Sequence, residues 1–422
     1  MSEAGNPDPA GQSDPPTSGT EPGVAAHDAS TEGQAGAGAL VTTGREDLRQ
    51  AVLVPVLAFA SALAVGALLI IFTQQELLDR WAHFFRDPGG TLNASGFAVR
   101  QAYGALFRGA LGSPSAISET VVAATPLIFA GLSVAVGFRA GLFNIGAEGQ
   151  ITMGAVAASV VGFSLGGLPG PLHLALIVLA GFVGGSLWGA VPGILKAKTG
   201  AHEVITTIML NFVAANLALY ALSTAFFRPV GRTDPIAKPV LAFFPRIFGS
   251  NYRVHAGFIV AVAVAAGVAW LLNRTTVGFE FRAVGANPSA ARAAGMNPTR
   301  TVVVVMALAG GLAGLAGATQ LASTIPSLTP GFSSGYGFDA IALALLGRAR
   351  PAGVVAAALL FGALRAGSRE MQAVTQIPIE IVTVIQALVI AFIAAPALVR
   401  AIYRIRARRV TGPETFTKGW AG

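Results

Sequence analysis

Long apolar runs dominate the chain from residue 51 onward and are separated by short polar connections. Roughly 20 apolar residues are needed for a helix to span a bilayer, so the pattern predicts an all-α polytopic membrane protein. We predict about ten transmembrane helices, at residues 51–73, 117–137, 142–165, 171–195, 204–226, 255–272, 301–322, 338–346, 352–366 and 378–399. At about 1.5 Å per residue, the run 338–346 is too short to cross alone. It therefore either borrows from the preceding Gly/Pro/Ser-rich segment or forms a broken or re-entrant half-helix.

The segments outside the apolar runs predict three domains. Residues 1–44 have no hydrophobic period and no aromatic residue, which predicts a disordered tail. Residues 45–403 are predicted to form the transmembrane domain, and residues 404–422 a basic C-terminal tail. Because Lys and Arg concentrate in cytoplasmic segments, the basic C-terminal tail is predicted to be cytoplasmic. Ten passes place the N-terminus on the same side, so both termini are predicted to be cytoplasmic. Two longer segments, 74–116 and 227–253, are predicted outside the membrane, where they offer surfaces to an external partner.

Composition excludes several classes of protein. The chain is 53% hydrophobic and only 11% charged, whereas soluble domains carry about 25% charged residues. Cysteine is absent and the five histidines are scattered, so we expect no disulfide and no metal site. No clustered nucleophile and base appears in the apolar runs, so we expect no catalytic residues. The net charge of +8 fits basic cytoplasmic loops, and no nucleic-acid motif accompanies it.

One polar cluster interrupts the apolar pattern between the second and third runs. Residues 137–150 place Arg139, Asn144, Glu148 and Gln150 among glycines. Ionisable side chains are costly inside a bilayer, so this stretch is a candidate functional site. In the alternative, structural interpretation, Asn144 caps the following helix and Glu148 lies in its first turns, against the positive end of the helix dipole.

Polar residues inside other apolar runs extend this candidate site into a predicted polar path through the membrane. Thr207 and Asn211 are four residues apart and therefore share one helix face. Asn216 lies roughly 140° further round the helix, which makes it the weaker candidate. The full predicted path is Asn144, Glu148, Gln150, Thr206, Thr207, Asn211, Asn216, Gln320, Ser323, Phe332, Tyr336 and Asp339. Alternatively, the Asn and Thr residues only bond neighbouring helices, an interaction worth about 0.6 kcal/mol on average.

Glycine spacing and two loops complete the pattern. Gly185 and Gly189 have the four-residue spacing that lets membrane helices approach closely, and so do Gly310 and Gly314. The loops 196–203 and 277–296 are candidates for contact with a soluble partner. In the second loop, Asn287 precedes a proline at the first helical position, which predicts a short helix over 289–294.

The motifs at 141–150, 203–211, 281–287 with 290–295, and 337–347 together resemble one family. They resemble permease subunits of bacterial ABC importers for branched-chain amino acids, ribose-type sugars and nucleosides, and most of all the nucleoside and simple-sugar branch. The resemblance runs over roughly residues 117–399 and implies the ABC importer permease fold. The Ala-Ala-x-x-x-Gly pattern of residues 290–295 resembles the coupling signature with which importer permeases contact their ATPase. Ser289 stands where the best-known version of this signature has an acidic residue.

The resemblance implies a division of labour between subunits. The chain lacks a Gly-x-x-x-x-Gly-Lys-Ser/Thr loop, so ATP would be used by a partner and no cofactor is expected here. The implied partners are an ATP-binding subunit, a second permease subunit, an extracytoplasmic substrate-binding lipoprotein, a nucleoside or sugar substrate, and the bilayer of the bacterial plasma membrane. The predicted ATPase-coupling residues are Arg282, Asn287, Ser289, Ala290, Ala291, Gly295, Lys198 and Glu203. A branched-chain amino acid permease and an ion-coupled secondary transporter remain the alternatives.

Overall fold

The computed structural model describes Leu53 and residues 56–404, and residues 56–404 belong to one compact unit. The predicted tail 1–44 and, apart from residue 404, the predicted tail 404–422 lie outside the described residues. The described helices are α1 (Val56–Thr73), α2 (Gln75–Ala82), α3 (Pro88–Leu111), α4 (Pro114–Arg139), α5 (Ala147–Ser164), α6 (Gly170–Thr199), α7 (Glu203–Ser223), α8 (Gly257–Arg274), α9 (Thr276–Ala286), α10 (Pro288–Ala293), α11 (Pro298–Leu321), α12 (Tyr336–Leu346), α13 (Pro351–Thr375), α14 (Ile379–Ala394) and α15 (Pro396–Ile402). No strand occurs between residues 56 and 404, which confirms the all-α prediction for that part of the chain.

Seven of the described helices are long and apolar enough to cross a membrane, so the predicted number of ten is not confirmed. The seven are α1, α4, α6, α7, α8, α11 and α13. Helix α5 begins with Glu148 and Gln150 in its first turn, which lowers its mean hydropathy. Helix α14 has only 16 residues and α12 only 11, below the roughly 20 that a full span needs. The chain is therefore a multi-pass membrane protein that also contains shorter helices.

Helix α4 forms the centre of the bundle. In its most apolar stretch, 89% of the residues are buried within the protein, against 22% in α6 and α7. It packs against α11, α12 and α13, and Pro126 lies within it without ending it. A helix that is apolar all round is one that other helices surround, and α4 has this property. The polar residues that follow it are therefore held at the middle of the protein.

Helices α6 and α11 cross at the glycine pairs that the sequence predicts. A Cβ placed on Gly185 would collide with the carbonyl oxygen of Gly310, and one on Gly314 would collide with that of Gly181. On Gly189, a Cβ would lie 2.9 Å from the Cα of Gly310. The two backbones touch, which confirms the packing interpretation of this spacing.

Substitution of Gly185 with leucine is expected to destabilise the protein, because the added side chain must force α6 and α11 apart. Overpacking of this kind costs about 1–3 kcal/mol or more. Thermal unfolding in detergent measures the effect. Gly267→Leu on α8 is the matched control, since a Cβ on Gly267 meets no atom within 4 Å. Equal melting temperatures for the two variants would contradict the close contact.

Most of the segment 74–116, which the sequence predicts outside the membrane, is the 24-residue helix α3, and α3 is not among the seven helices that could cross a membrane. This helix packs along α13 and α4 through small residues. A Cβ on Gly109 would collide with Glu370 of α13, and Thr120 of α4 donates a 2.7 Å hydrogen bond to the carbonyl of Ala110. Gly, Asn, Gln and Arg residues dilute the apolar signal of α3, which explains why the hydropathy pattern missed it.

The short apolar run 338–346 is the C-terminal part of a half-helix. Helix α12 begins after Gly335, whose φ of +78° is in the left-handed region, and ends at Gly347. Its 11 residues extend about 16 Å, half the thickness of a bilayer core. Residues 322–335 before it are irregular and pack under the loop 224–256, with backbone bonds such as Val240 N–H to the carbonyl of Pro326. The run therefore lies in a short helix that is too short to cross a bilayer core alone.

Candidate functional site

The polar cluster of residues 137–150 forms a break between α4 and α5. Helix α4 ends at Arg139, and Gly141, with φ of +69°, turns the chain. The Asn144 side chain is fully buried, accepts a hydrogen bond from the Gly146 N–H at 2.9 Å, and exchanges two hydrogen bonds with Gln150. The two amides satisfy each other, so here they stabilise the break, although Asn144 does not cap α5 as the structural interpretation predicts. Gly146, not Asn144, occupies the N-cap position of α5.

Helix α7 holds the same break from the other side. The Asn211 side chain accepts a hydrogen bond from the Gly149 N–H at 2.8 Å and donates one to the carbonyl of Ile145 at 2.9 Å. Gly149 lies in the first turn of α5, where the N–H groups of a helix have no partner within the helix, and Ile145 lies in the break just before it. Thr207 is buried one turn earlier on α7 and donates to the carbonyl of Glu203. Asn211 therefore fastens α7 to the break.

Glu148 joins the break to half-helix α12. Its carboxylate accepts hydrogen bonds from the Ser333 hydroxyl at 2.5 Å, the Gly335 N–H at 3.1 Å and the Gly337 N–H at 2.7 Å. These groups surround the N-terminus of α12, where a negative charge is favourable. A Cβ on Gly337 would collide with the backbone of Glu148, so only glycine permits this approach. An acidic side chain that is 185 residues away in sequence thus caps the half-helix.

An arginine that the sequence analysis did not select lies beside the start of α12. Arg365 of α13 forms a 2.6 Å ion pair with Asp339 and lies 4.2 Å from the centre of the Tyr336 ring. Both charged side chains are 23% exposed. Two predicted path residues, Tyr336 and Asp339, therefore share one cation. An arginine inside the otherwise apolar run 352–366 was the signal that would have identified it.

Breaking this ion pair is expected to destabilise the protein more than removing both charges together. Removal of one partner from a fully buried pair costs about 3–5 kcal/mol, and we expect less here because each side chain is partly exposed. Asp339→Asn and Arg365→Gln should each lower the melting temperature, and the double variant should recover part of the loss. Additive losses in this double-mutant cycle would show that the two charges do not interact.

The remaining predicted path residues lie apart from the break. On α7, Thr206 is half-buried and Asn216 is exposed, where it bonds only to the carbonyl of Phe212 among the contacts that the structure gives. Phe332 is buried in an apolar cluster with residues of α5 and α11. Gln320 is buried at the end of α11, and its Oε1 has no partner among the described residues. The structure thus divides the predicted path residues into three groups: those at the break, those beside Arg365 and those that lie apart from both.

The predicted coupling residues gather at the opposite end of the protein from the loop 224–256. The Asn287 side chain accepts hydrogen bonds from the N–H groups of Ser289 and Ala290, both at 3.0 Å, which confirms the predicted start of α10. Within α10 only Ala291 is buried, and Gly295 follows with φ of +85°. This short helix therefore presents most of its surface to the outside.

Three further coupling candidates lie on other elements: Glu203 and Lys198 at the turn between α6 and α7, and Arg282 on α9. Glu203 forms a 2.5 Å ion pair with Lys196 that closes the turn between α6 and α7. Lys198 is exposed and lines a cavity of about 310 Å³ together with Asn297 and Arg300 at the start of α11. Arg282 has one buried guanidinium nitrogen without a partner in the described part of the chain. This end of the protein is rich in positive charge.

One histidine at the end of the loop 224–256 has a lowered pKa. His255 is 4% exposed and packs against the Phe244 ring. Burial, and to a lesser extent the positive charge of Arg253, lowers the pKa of His255 to about 4. It is therefore neutral near pH 7. Between residues 56 and 404, no group of three His, Cys, Asp or Glu side chains is arranged to hold a metal ion.

Comparison with known proteins gives consistent matches over most of the chain. Residues 116–394 match the family model described as "Branched-chain amino acid transport system / permease component". The guanosine ABC transporter permease protein NupP of Bacillus subtilis is 37% identical over 351 residues, which are 82% of this chain and 94% of the relative. The nucleoside ABC transporter permease protein NupB of Lactococcus lactis is 33% identical over 357 residues, or 82% and 92% of the two chains.

A third relative has a sugar in its name. The glucose ABC transporter permease protein TsgB13 of Haloferax volcanii is 36% identical over 352 residues, which are 80% of this chain and 86% of the relative. No solved structure matches the chain. The family model covers the break, helix α10 and half-helix α12 in one continuous match. The chain belongs to the branched-chain amino acid transport system permease family.

Proposed function

We propose that this protein is the permease subunit of an ABC importer that carries nucleosides into the cell. The observation that carries the proposal is the match over nearly the full length of relatives named as guanosine and nucleoside permeases. A site of carboxylate, amide and aromatic groups in a membrane protein supports it, since ribose hydroxyls and a base need hydrogen-bonding groups and an aromatic surface.

The ATPase belongs to a separate subunit that docks at α10. The short helix is capped by Asn287 and mostly exposed, and Lys198 and Arg300 line a cavity at the start of α11, so this end of the protein offers an exposed and basic contact surface. ATP binding by the partner moves α10, and the membrane helices respond by opening the path to one side or the other. In this arrangement α10 faces the cytoplasm, and the loop 224–256 faces outward, where a substrate-binding lipoprotein delivers the nucleoside.

The path runs along the exposed face of α7, between this chain and a second permease subunit. That face carries Met209, Phe212 and Tyr220, each more than half exposed, together with Thr206 and Asn216. An exposed amide is unfavourable against lipid chains, so Asn216 is better accounted for by a polar path or a protein partner. The buried amides of Asn144, Gln150 and Asn211 support the path without lining it.

A sugar is the second candidate substrate, because one relative is named as a glucose permease at similar identity. Uptake of labelled guanosine, adenosine, uridine, ribose, glucose and leucine by cells that lack this chain, with and without its re-expression, separates the candidates. We expect restored nucleoside uptake. Restored uptake of sugar alone would move the assignment to the sugar branch, and restored uptake of leucine alone would contradict both.

A further inference from the structure

The loop that carries α10 contacts the break between α4 and α5 through two glycines. A Cβ placed on Gly285, in the last turn of α9, would lie 2.5 Å from the carbonyl carbon of Ala140. One placed on Gly141 would lie 2.9 Å from the Gly285 carbonyl oxygen. Real Cβ atoms do not approach other atoms so closely, so the two backbones touch directly and neither position accepts a side chain without movement.

Helix α9 is also fastened to its neighbours, so it does not move independently of them. The Thr301 hydroxyl of α11 donates a 2.5 Å hydrogen bond to the Glu280 carboxylate. Gly278 lies against the carbonyl of Leu271 at the end of α8, where a Cβ would collide. A displacement of α10 therefore reaches Gly285 through α9, which is held by α8 on one side and α11 on the other.

The break in turn holds half-helix α12 at both of its ends. Arg139, just before the break, donates a 3.0 Å hydrogen bond from Nε to the carbonyl of Ala349 in the turn that follows α12. Glu148, just after the break, caps the N-terminus of α12. A cation at the C-terminal end and an anion at the N-terminal end both match the helix dipole. Arg139 and Glu148, which flank the break, thus hold half-helix α12 at its two ends.

The segment between these two residues is itself rigid. Asn144, Gln150 and Asn211 satisfy its buried polar groups, and any internal deformation would leave some of them unpaired. Unpaired buried groups cost about 1–3 kcal/mol each, so the break responds to a push at Gly141 by shifting as a unit.

We infer that the Gly141–Gly285 contact transmits movement of α10 to half-helix α12, which makes Gly141, Gly285, Arg139 and Glu148 positioning residues for transport. This inference rests on the proposed function in one respect only, that a partner ATPase moves α10. It identifies α12, with Tyr336 and Asp339 in its first turn, as the element that the ATPase repositions.

The test uses the complete transporter, with its ATPase, second permease and binding protein, in proteoliposomes. We measure ATP hydrolysis and uptake of labelled guanosine for wild type, Gly285→Ala and the control Gly267→Ala. We expect the ATP hydrolysed per guanosine transported to rise about tenfold in Gly285→Ala and to stay at the wild-type ratio in the control. A wild-type ratio in Gly285→Ala, or a parallel loss of both activities, would overturn the inference.

A second readout does not depend on the substrate. The chain has no cysteine, so Phe338→Cys, at a position 52% exposed on α12, gives a single site for a maleimide. We expect ATP to change the labelling rate in this background and Gly285→Ala to remove the change. An ATP response that survives Gly285→Ala overturns the inference, whereas an ATP response without guanosine uptake counts only against the proposed substrate. If Gly285→Ala does not accumulate, Arg139→Gln, which introduces no clash, takes its place with the same expected and contrary results.

Discussion

Replacement of Glu148 with glutamine is expected to remove most transport activity while the helices stay folded. The carboxylate accepts three hydrogen bonds at the start of α12, from Ser333, Gly335 and Gly337. A glutamine amide keeps one oxygen and turns an NH₂ donor toward a backbone N–H. Hydrogen bonds to charged groups contribute about 1.5–3 kcal/mol each, so the cap on α12 is seriously weakened.

The measurement is the initial rate of labelled nucleoside uptake at equal amounts of protein in the membrane. Each 1.36 kcal/mol lost from the transport step corresponds to about a tenfold fall in rate, so we expect a fall of tenfold or more. Glu76→Gln on α2 is the matched control, because Glu76 is exposed and its nearest cation, on Arg80, is 3.9 Å away. A Glu148→Gln variant that transports at the control rate would show that the cap on α12 is dispensable.

Two asparagines on the same helix are expected to respond in opposite ways. Asn211→Ala leaves the Gly149 N–H and the Ile145 carbonyl without their buried partner, at about 1–3 kcal/mol each. The protein should therefore unfold at a lower temperature and accumulate poorly. Asn216→Ala removes only a bond from an exposed amide back to its own helix, so the unfolding temperature should not change.

Transport gives the complementary result for this pair. We expect Asn216→Ala to lower the uptake rate at unchanged stability, because the exposed face of α7 is where we place the path. Thermal unfolding and uptake of both variants, purified in the same detergent, provide the two measurements. Full stability in Asn211→Ala would contradict its fastening role, and unchanged uptake in Asn216→Ala would remove it from the path.

Much of this architecture follows from local sequence features. The apolar runs located most of the helices, the Gly185 and Gly310 positions identified a real backbone contact, and Asn287 with its proline identified α10. Each of these features depends on residues within a few positions of one another or on a spacing that one helix imposes. Local chemistry determines these features, so the sequence alone is sufficient to predict them.

The partners of the polar residues required the structure. Glu148 finds Gly335 and Gly337 nearly 190 residues away, and nothing near Glu148 in the sequence indicates that contact. Arg365 was overlooked because a single arginine does not interrupt an apolar run, although its ion pair with Asp339 is a prominent feature of the site. Only the packing of the helices separates the predicted path residues into those at the break, those beside Arg365 and those that lie apart from both.

The energy source is the most direct test of the central claim. The complete transporter in proteoliposomes, with labelled guanosine outside at the face that receives the binding protein, is supplied either with ATP at the face that carries α10 or with a proton gradient. An ABC permease predicts guanosine accumulation that requires ATP and survives collapse of the gradient. Accumulation that follows the proton gradient and ignores ATP would contradict the account, including the assignment of α10 as the coupling helix.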